Sequence, residues 1–286
     1  MAEFDDLLDQ QPQEAPPQEG FDKEAYAAQK KQEREAVYAL ADQTATDVAD
    51  MPAKFAQYLD TQARFDRYSA TNALLIMAQR PGATWIGSLD YWKQQKVFIK
   101  PGELKNHFTI LARGGDFRLD DGGVGVGVDM KRVYDVAQAQ RPRLQPEPRF
   151  DERAFAALKK AAPMPVQGVD GLGQDAVIRG NTIFVQKGMG REATIIALAR
   201  EACRAGYQRG DGDPKFADLA ARAGAYMICK KYGVDTKGID LSDSPDYLGV
   251  MEPRDARDTL SDVRAAASEI TGRMAKELEP RKPEAR

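Results

Sequence analysis

The chain has 286 residues, 42% hydrophobic, 30% charged and 8% aromatic, which is long enough for one large domain or two modest ones with real cores. Its 41 basic and 44 acidic residues leave a net charge of −3, so bulk charge does not mark a nucleic-acid binder and only a local patch can. One histidine (His107) and two cysteines (Cys203 and Cys229) exclude paired-histidine zinc sites, four-cysteine metal sites and a disulfide scaffold. No apolar run approaches the ~20 residues of a membrane span, and MAEFDDLLDQ has no secretion-signal pattern, so a cytoplasmic location is expected.

Residues 1–24 carry eight acids against Lys23 alone, and QQPQEAPPQEG has too little apolar surface to offset its ordering entropy. The stretch is expected to be a disordered acidic tail with a short Phe4/Leu7/Leu8 patch. Residues 24–48 read as a helix in which Tyr26, Ala27, Val37, Leu40 and Ala41 recur among polar residues. A second helix begins at Met51-Pro52 with proline at its first position. A third spans 69–79, capped by Ser69 and stopped by Arg80-Pro81-Gly82. The pattern then turns β-rich: Thr84-Trp85-Ile86, a helical turn over 89–95, then VFIK, NHFTILAR and VGVGVDMKRVYDV as strands, with Asp120-Asp121-Gly122-Gly123 as a hairpin-type turn. The glycines of 122–127 miss the phosphate-loop spacings.

Prolines 142, 146 and 148 mark the best boundary, giving a Pro-rich linker over 142–150. Beyond it come a helix at 151–161, strands in AVIRGNTIFVQ turning at Gly180-Asn181, and helices at 191–209, 214–232 (closed by Gly233) and about 253–277. The expected organisation is α+β in two domains: 25–141, helices with a small, mostly antiparallel sheet, then 151–265, followed by a helix end and polar tail over 266–286.

Residues 53–113 hold nine Lys/Arg (Lys54, Arg64, Arg67, Arg80, Lys93, Lys96, Lys100, Lys105, Arg113) against four acids (Asp60, Asp66, Asp90, Glu103), a surplus of +5 in an acidic protein. Aromatics interleaved with bases suit single strands, because rings stack on bases and cations follow phosphates. The alternative is that Tyr68, Trp85 and Trp92 are core and the lysines a solvated face. His107 and the two cysteines read as structural.

The run YSATNALLIMAQRPGATWIGSLDYWKQQKVFIKPGE resembles the N-terminal single-stranded-DNA-binding domain of ArdC-type antirestriction proteins, with VYDVAQ at 133–138 resembling its closing strand. Lys96 stands where the family pattern has glycine, and Gln138-Ala139 where it has Gln-Thr. The resemblance spans about residues 50–140. It implies sequence-tolerant binding of single-stranded DNA in a mobile-element setting, whether conjugation or antirestriction. Phosphate contacts would come from Arg64, Arg67, Lys93, Lys96, Lys100 and Lys105, stacking from Tyr68, Trp85 and Trp92, and polar anchoring from Asn72 and Gln79. The alternative is a protein-binding adaptor or DNA mimic acting on a host restriction or conjugation protein.

The second half resembles the zinc-peptidase domain of ImmA/IrrE-like and ArdC-type proteins, a zincin-like fold whose helix carries His-Glu-x-x-His. Here that segment is Arg200-Glu201-Ala202-Cys203-Arg204, and the third-ligand position falls on Arg222. Guanidinium offers no lone pair to a metal. The resemblance therefore implies a pseudo-peptidase: no enzyme, no metal, no cofactor, with Glu201 alone kept from the catalytic set. The three arginines are expected either to converge into a cationic pocket for phosphate or carboxylate, or to form a structural ion-pair cluster.

Overall fold

The computed structural model describes residues 22–118, 122–142, 149–207 and 214–279. The tail expected over 1–24 lies outside them up to residue 21, including Phe4, Leu7 and Leu8. Lys23 and Glu24 depart from that expectation and open the first helix, α1 (Lys23–Asp50), where the Asp22 carboxylate accepts from the amides of Glu24 and Ala25. The contacts divide the chain at Ala36/Val37, within this helix. Its first part is held by pairs one turn apart, Lys30–Glu33 at 2.8 Å and Gln29–Glu33 at 3.0 Å. In its second part Ala41, Ala45 and Val48 are buried, whereas Leu40, expected among the apolar positions, is 37% exposed.

Helix α2 (Pro52–Arg64) starts on proline, which has no amide hydrogen to leave unsatisfied. Helix α3 (Ala70–Gln79) starts on Ser69, whose hydroxyl accepts from the Asn72 amide. The first sheet contains β1 (Ile86–Gly87), β2 (Phe108–Arg118) and β3 (Val124–Asp135) in the order β1-β3-β2, all antiparallel. The short helix α4 (Leu89–Gln94) follows β1. VFIK, expected as a strand, contributes only the bridge Ile99–Ala139. Strand β2 runs on past Arg113 through a bulge, where the register shifts between Arg113 and Asp116 opposite Gly127. A Cβ on Gly127 would stand 2.8 Å from the Gly115 carbonyl oxygen, so that glycine serves the bulge. The tip of the expected hairpin turn, 119–121, lies outside the described residues.

After α5 (Glu152–Ala161) the second sheet is β4 (Val166–Val169), β5 (Ala176–Arg179) and β6 (Thr182–Gln186), ordered β4-β6-β5. β5 and β6 form the expected hairpin, with Gly180 at φ 58° in its turn. The sequence reading did not anticipate β4, which pairs parallel to β6. Helices α6 (Arg191–Tyr207), α7 (Pro214–Lys231), α8 (Ser244–Leu248) and α9 (Pro253–Leu278) complete the described chain. Gly224 of α7 lets α6 approach closely: a Cβ there would lie 2.6 Å from the Cys203 sulfur. Both thiols are buried; burial pushes Cys229 up to about 12 and Cys203 higher still, as expected of structural cysteines. Among the described residues no helix is long and apolar enough to cross a membrane.

Residues 143–148 of the linker expected over 142–150 lie outside the described residues, and the segments on either side share one core. The largest buried cluster joins Phe55, Leu59 and Leu74 to Leu158, Ile183, Leu198, Leu219 and Val263. Helices α2 and α3 thus pack with the second half, and two smaller clusters lie with the first sheet.

Candidate nucleic-acid interface

Helix α3 meets the free edge of β2 through two side-chain amides. The Asn72 oxygen accepts from the Leu111 amide at 2.8 Å, and its nitrogen donates to the Leu111 carbonyl at 2.8 Å. Gln79 does the same for Thr109, at 3.0 and 2.9 Å. The seven-residue spacing rises about 10.5 Å along a helix, against about 6.8 Å for two strand residues. The longer glutamine side chain takes up the difference. The two residues expected as polar anchors for DNA thus spend their amide groups on the strand edge, where a further strand would sit, while Asn72 also lines the cleft beside it.

Beside this joint lies an open cleft of about 830 Å³. Its cationic lining is Arg64, Arg67 and Lys131, and its rings are Phe65, Tyr68, Trp85 and Tyr91; Ile110 and Val133 add apolar floor. The turn carrying Arg67 and Tyr68 is pinned from behind. The Gln62 amide donates to the carbonyls of Phe65 (3.1 Å) and Tyr68 (3.2 Å), Arg264 donates to the Asp66 carbonyl at 2.9 Å, and Lys231 pairs with the Asp66 carboxylate. That ion pair offsets the acid in the lining, so the cleft keeps a positive surplus. Burial, then the neighbouring Tyr91, raises the pKa of the Tyr68 hydroxyl, which stays neutral.

Trp85, Tyr91 and Trp92 form an edge-to-face cluster with centroids 5.2 to 6.5 Å apart. The Trp85 indole donates to the Tyr91 hydroxyl at 3.0 Å, and both residues line the cleft. Trp92 does not reach it. It is 0% exposed and donates to the Tyr134 carbonyl at 3.0 Å, so this expected stacking residue is core. Arg64 donates to the Pro81 carbonyl at 2.8 Å while lining the cleft. Lys93, Lys96, Lys100 and Lys105 are exposed but do not line it; Lys93 lies 3.8 Å from Asp90.

The sequence reading missed Lys131 and Tyr91. Lys131 sits two residues from buried Val133 on β3, and opposite Ile110 of β2, so strand alternation places its side chain on the cleft face. It also missed the node behind the cleft. The buried Asp135 carboxylate accepts from the amides of Thr84 (2.8 Å), Trp85 (3.1 Å) and Ala137 (3.1 Å), and Gln138 accepts from the Asp135 amide at 2.9 Å. These two residues of VYDVAQ hold Trp85 at the rim. The His107 ring is half-buried and tilted against Tyr134, with centroids 6.3 Å apart.

On α6, Arg200 donates to Glu201 at 3.2 Å, and Arg204 lies 3.3 Å from the other oxygen of that buried carboxylate. Arg204 also pairs with Asp218 of α7. Arg222 meets Asp218 at 2.8 Å and grips Asp243 with two bonds of 2.9 and 2.7 Å. Burial would raise the Asp218 carboxyl, but Arg204 and Arg222 outweigh it and hold it below the usual range. The bond to Asp243, more than Asp218, raises the Arg222 pKa against its burial. Three guanidinium groups thus face three carboxylates. The cationic pocket is replaced by a balanced chain of ion pairs, because Asp218 and Asp243 supply the charge that the local motif lacks. The positions that the sequence resemblance assigns to metal ligands, Arg200, Arg204 and Arg222, carry guanidinium groups with no lone pair to offer, and both oxygens of Glu201 are engaged. Among the described residues no group of three or more His, Cys, Asp or Glu side chains is placed to hold a metal ion.

The fold is mixed α+β with small sheets, and it presents a cationic, ring-lined cleft. No family model and no curated protein matches the chain. Two crystal structures of the antirestriction protein ArdC from plasmid R388, one metal-free and one Mn(II)-bound, are similar to it. Each is 15% identical with a TM-score of 0.48, over 73% of this chain and 86% and 85% of theirs.

Proposed function

We propose that the chain binds single-stranded DNA in the cleft between α3, α4 and the first sheet, without sequence selection. The observation that carries the reading is the convergence of Arg64, Arg67 and Lys131 with Tyr68, Trp85 and Tyr91 around one opening. Rings receive unpaired bases and cations meet the phosphates, while a duplex hides its base faces. The mobile-element setting rests on the sequence resemblance alone. A gel shift with single- and double-stranded oligonucleotides at two salt concentrations tests the reading. Single strands should bind more tightly, and log affinity should fall with log salt at a slope of roughly −2 if the three cations each neutralise a phosphate. No shift at low salt overturns it.

The second half, in this reading, is a peptidase-like scaffold without peptidase chemistry. Glu201 is locked between Arg200 and Arg204, and no ligand set activates a water for it. The chain should leave casein and denatured peptides intact with or without a chelator; chelator-sensitive cleavage would refute this.

A further inference from the structure

A second surface of the same half carries cations and an aromatic ring that the cleft does not use. Helix α4 ends in two reciprocal bonds: the Val97 amide donates to the Trp92 carbonyl at 2.9 Å, and the Lys96 amide to the Lys93 carbonyl at 3.0 Å. This is the Schellman closure, whose left-handed position usually holds glycine. Here that position is Lys96, with φ 55°, the one non-glycine residue of positive φ among the described residues. A side chain there crowds the following carbonyl, so the conformation works against the residue.

Immediately after Lys96 the chain is extended and fastened to the 138–140 segment. The Gln140 amide donates to the Phe98 carbonyl at 2.8 Å, and the Lys100 amide to the Gln138 carbonyl at 3.0 Å. Side chains alternate accordingly: Val97 and Ile99 are 5% and 8% exposed, and Phe98 between them is 61% exposed. Phe98 thus faces outward, and Lys96 and Lys100, two residues away on either side in the chain, are exposed as well. Lys105 is exposed beyond the turn at Pro101–Glu103. The nearby Glu103 carboxylate is taken by Gln138 (3.0 Å) and Asn106 (3.2 Å). Among the described residues no carboxylate pairs with Lys96, Lys100 or Lys105.

We propose that the Lys96–Phe98–Lys100 ridge is a second contact for single-stranded DNA, with a base on the Phe98 ring and phosphates on the lysines at either side. The proposal rests on the reading of the cleft as a single-strand site and extends it to a surface outside that cleft. A polyanion is the occupant because three exposed lysines (Lys96, Lys100 and Lys105) stand near the ring against the single Glu103 carboxylate, and an unpaired base is what the exposed ring face accepts. The backbone cost at Lys96 has a purpose on this account: glycine would relax the turn and remove a cation.

The test uses the full chain and a labelled oligothymidylate, followed by fluorescence anisotropy over a salt series, with thermal melting of each variant. Lys96→Gly should melt at a higher temperature yet bind more weakly, its salt slope smaller by about 0.7. Phe98→Ala should melt as the parent does and lose roughly 5- to 150-fold in affinity, with its salt slope unchanged. Parental affinity in both variants, while Arg67→Ala or Trp85→Ala weakens binding, overturns the ridge and leaves the cleft standing. A parent chain that does not bind at low salt removes both.

Discussion

Trp92→Ala should lower the unfolding free energy by about 3–5 kcal/mol, the range for removing a large aromatic from a packed interior. Trp92 has no exposed surface, touches Trp85 and Tyr91 edge-to-face, and packs with Val97, Ile99, Tyr134 and Val136. Its loss also leaves the Tyr134 carbonyl without the indole donor. Trp85→Ala should behave differently. That ring is half-buried at the cleft rim, so the stability loss is expected to be smaller and the loss of oligonucleotide affinity larger, about 1–3 kcal/mol if it stacks on one base. Urea unfolding and anisotropy on the two variants separate these effects. Equal stability losses with unchanged affinity in Trp85→Ala would remove that ring from the binding surface.

Asn72→Ala should cost about 2–3 kcal/mol, because it strands both backbone groups of Leu111 at a sheet edge that no strand covers. Gln79→Ala should cost less, about 1 kcal/mol, since Gln79 is half-exposed and water can replace it at Thr109. Asn72→Asp keeps the acceptor for the Leu111 amide but turns a carboxylate towards the Leu111 carbonyl, so it should not rescue the alanine variant. Amide hydrogen exchange gives the local readout: the Leu111 amide should exchange faster in Asn72→Ala than in the parent. Unchanged protection there would mean that the joint does not hold the edge.

Much of the element pattern is legible in the sequence because its punctuation is local. Pro52 starts a helix, Ser69 caps the next, Gly180 turns a hairpin and Gly233 follows the end of α7 at φ 73°. The site is legible only in part, because composition reports residue type and not direction. Tyr68 and Trp85 reach the cleft, while Trp92, seven residues after Trp85, is swallowed by the sheet. Asn72 and Gln79 look like free polar groups until β2 arrives from thirty or more residues away. Asp218 was within reach of the sequence, four residues before Arg222 on one helical face, but Asp243, 21 residues away, was not. The core shared across 142–150 was hidden for the same reason. Prolines mark where a chain bends, not which helix its apolar stripe will meet.

The cluster that joins α2 and α3 to α6, α7 and α9 has a thermodynamic consequence for ligand binding. When the elements bordering a pocket are packed into a common interior, they melt with that interior rather than ahead of it. A strand seated against Arg67 and Tyr68 would then protect the distant ion-paired helices from thermal unfolding by simple mass action, although it never touches them. Severing the polypeptide near its prolines would strip that interior of two helices and forfeit such protection.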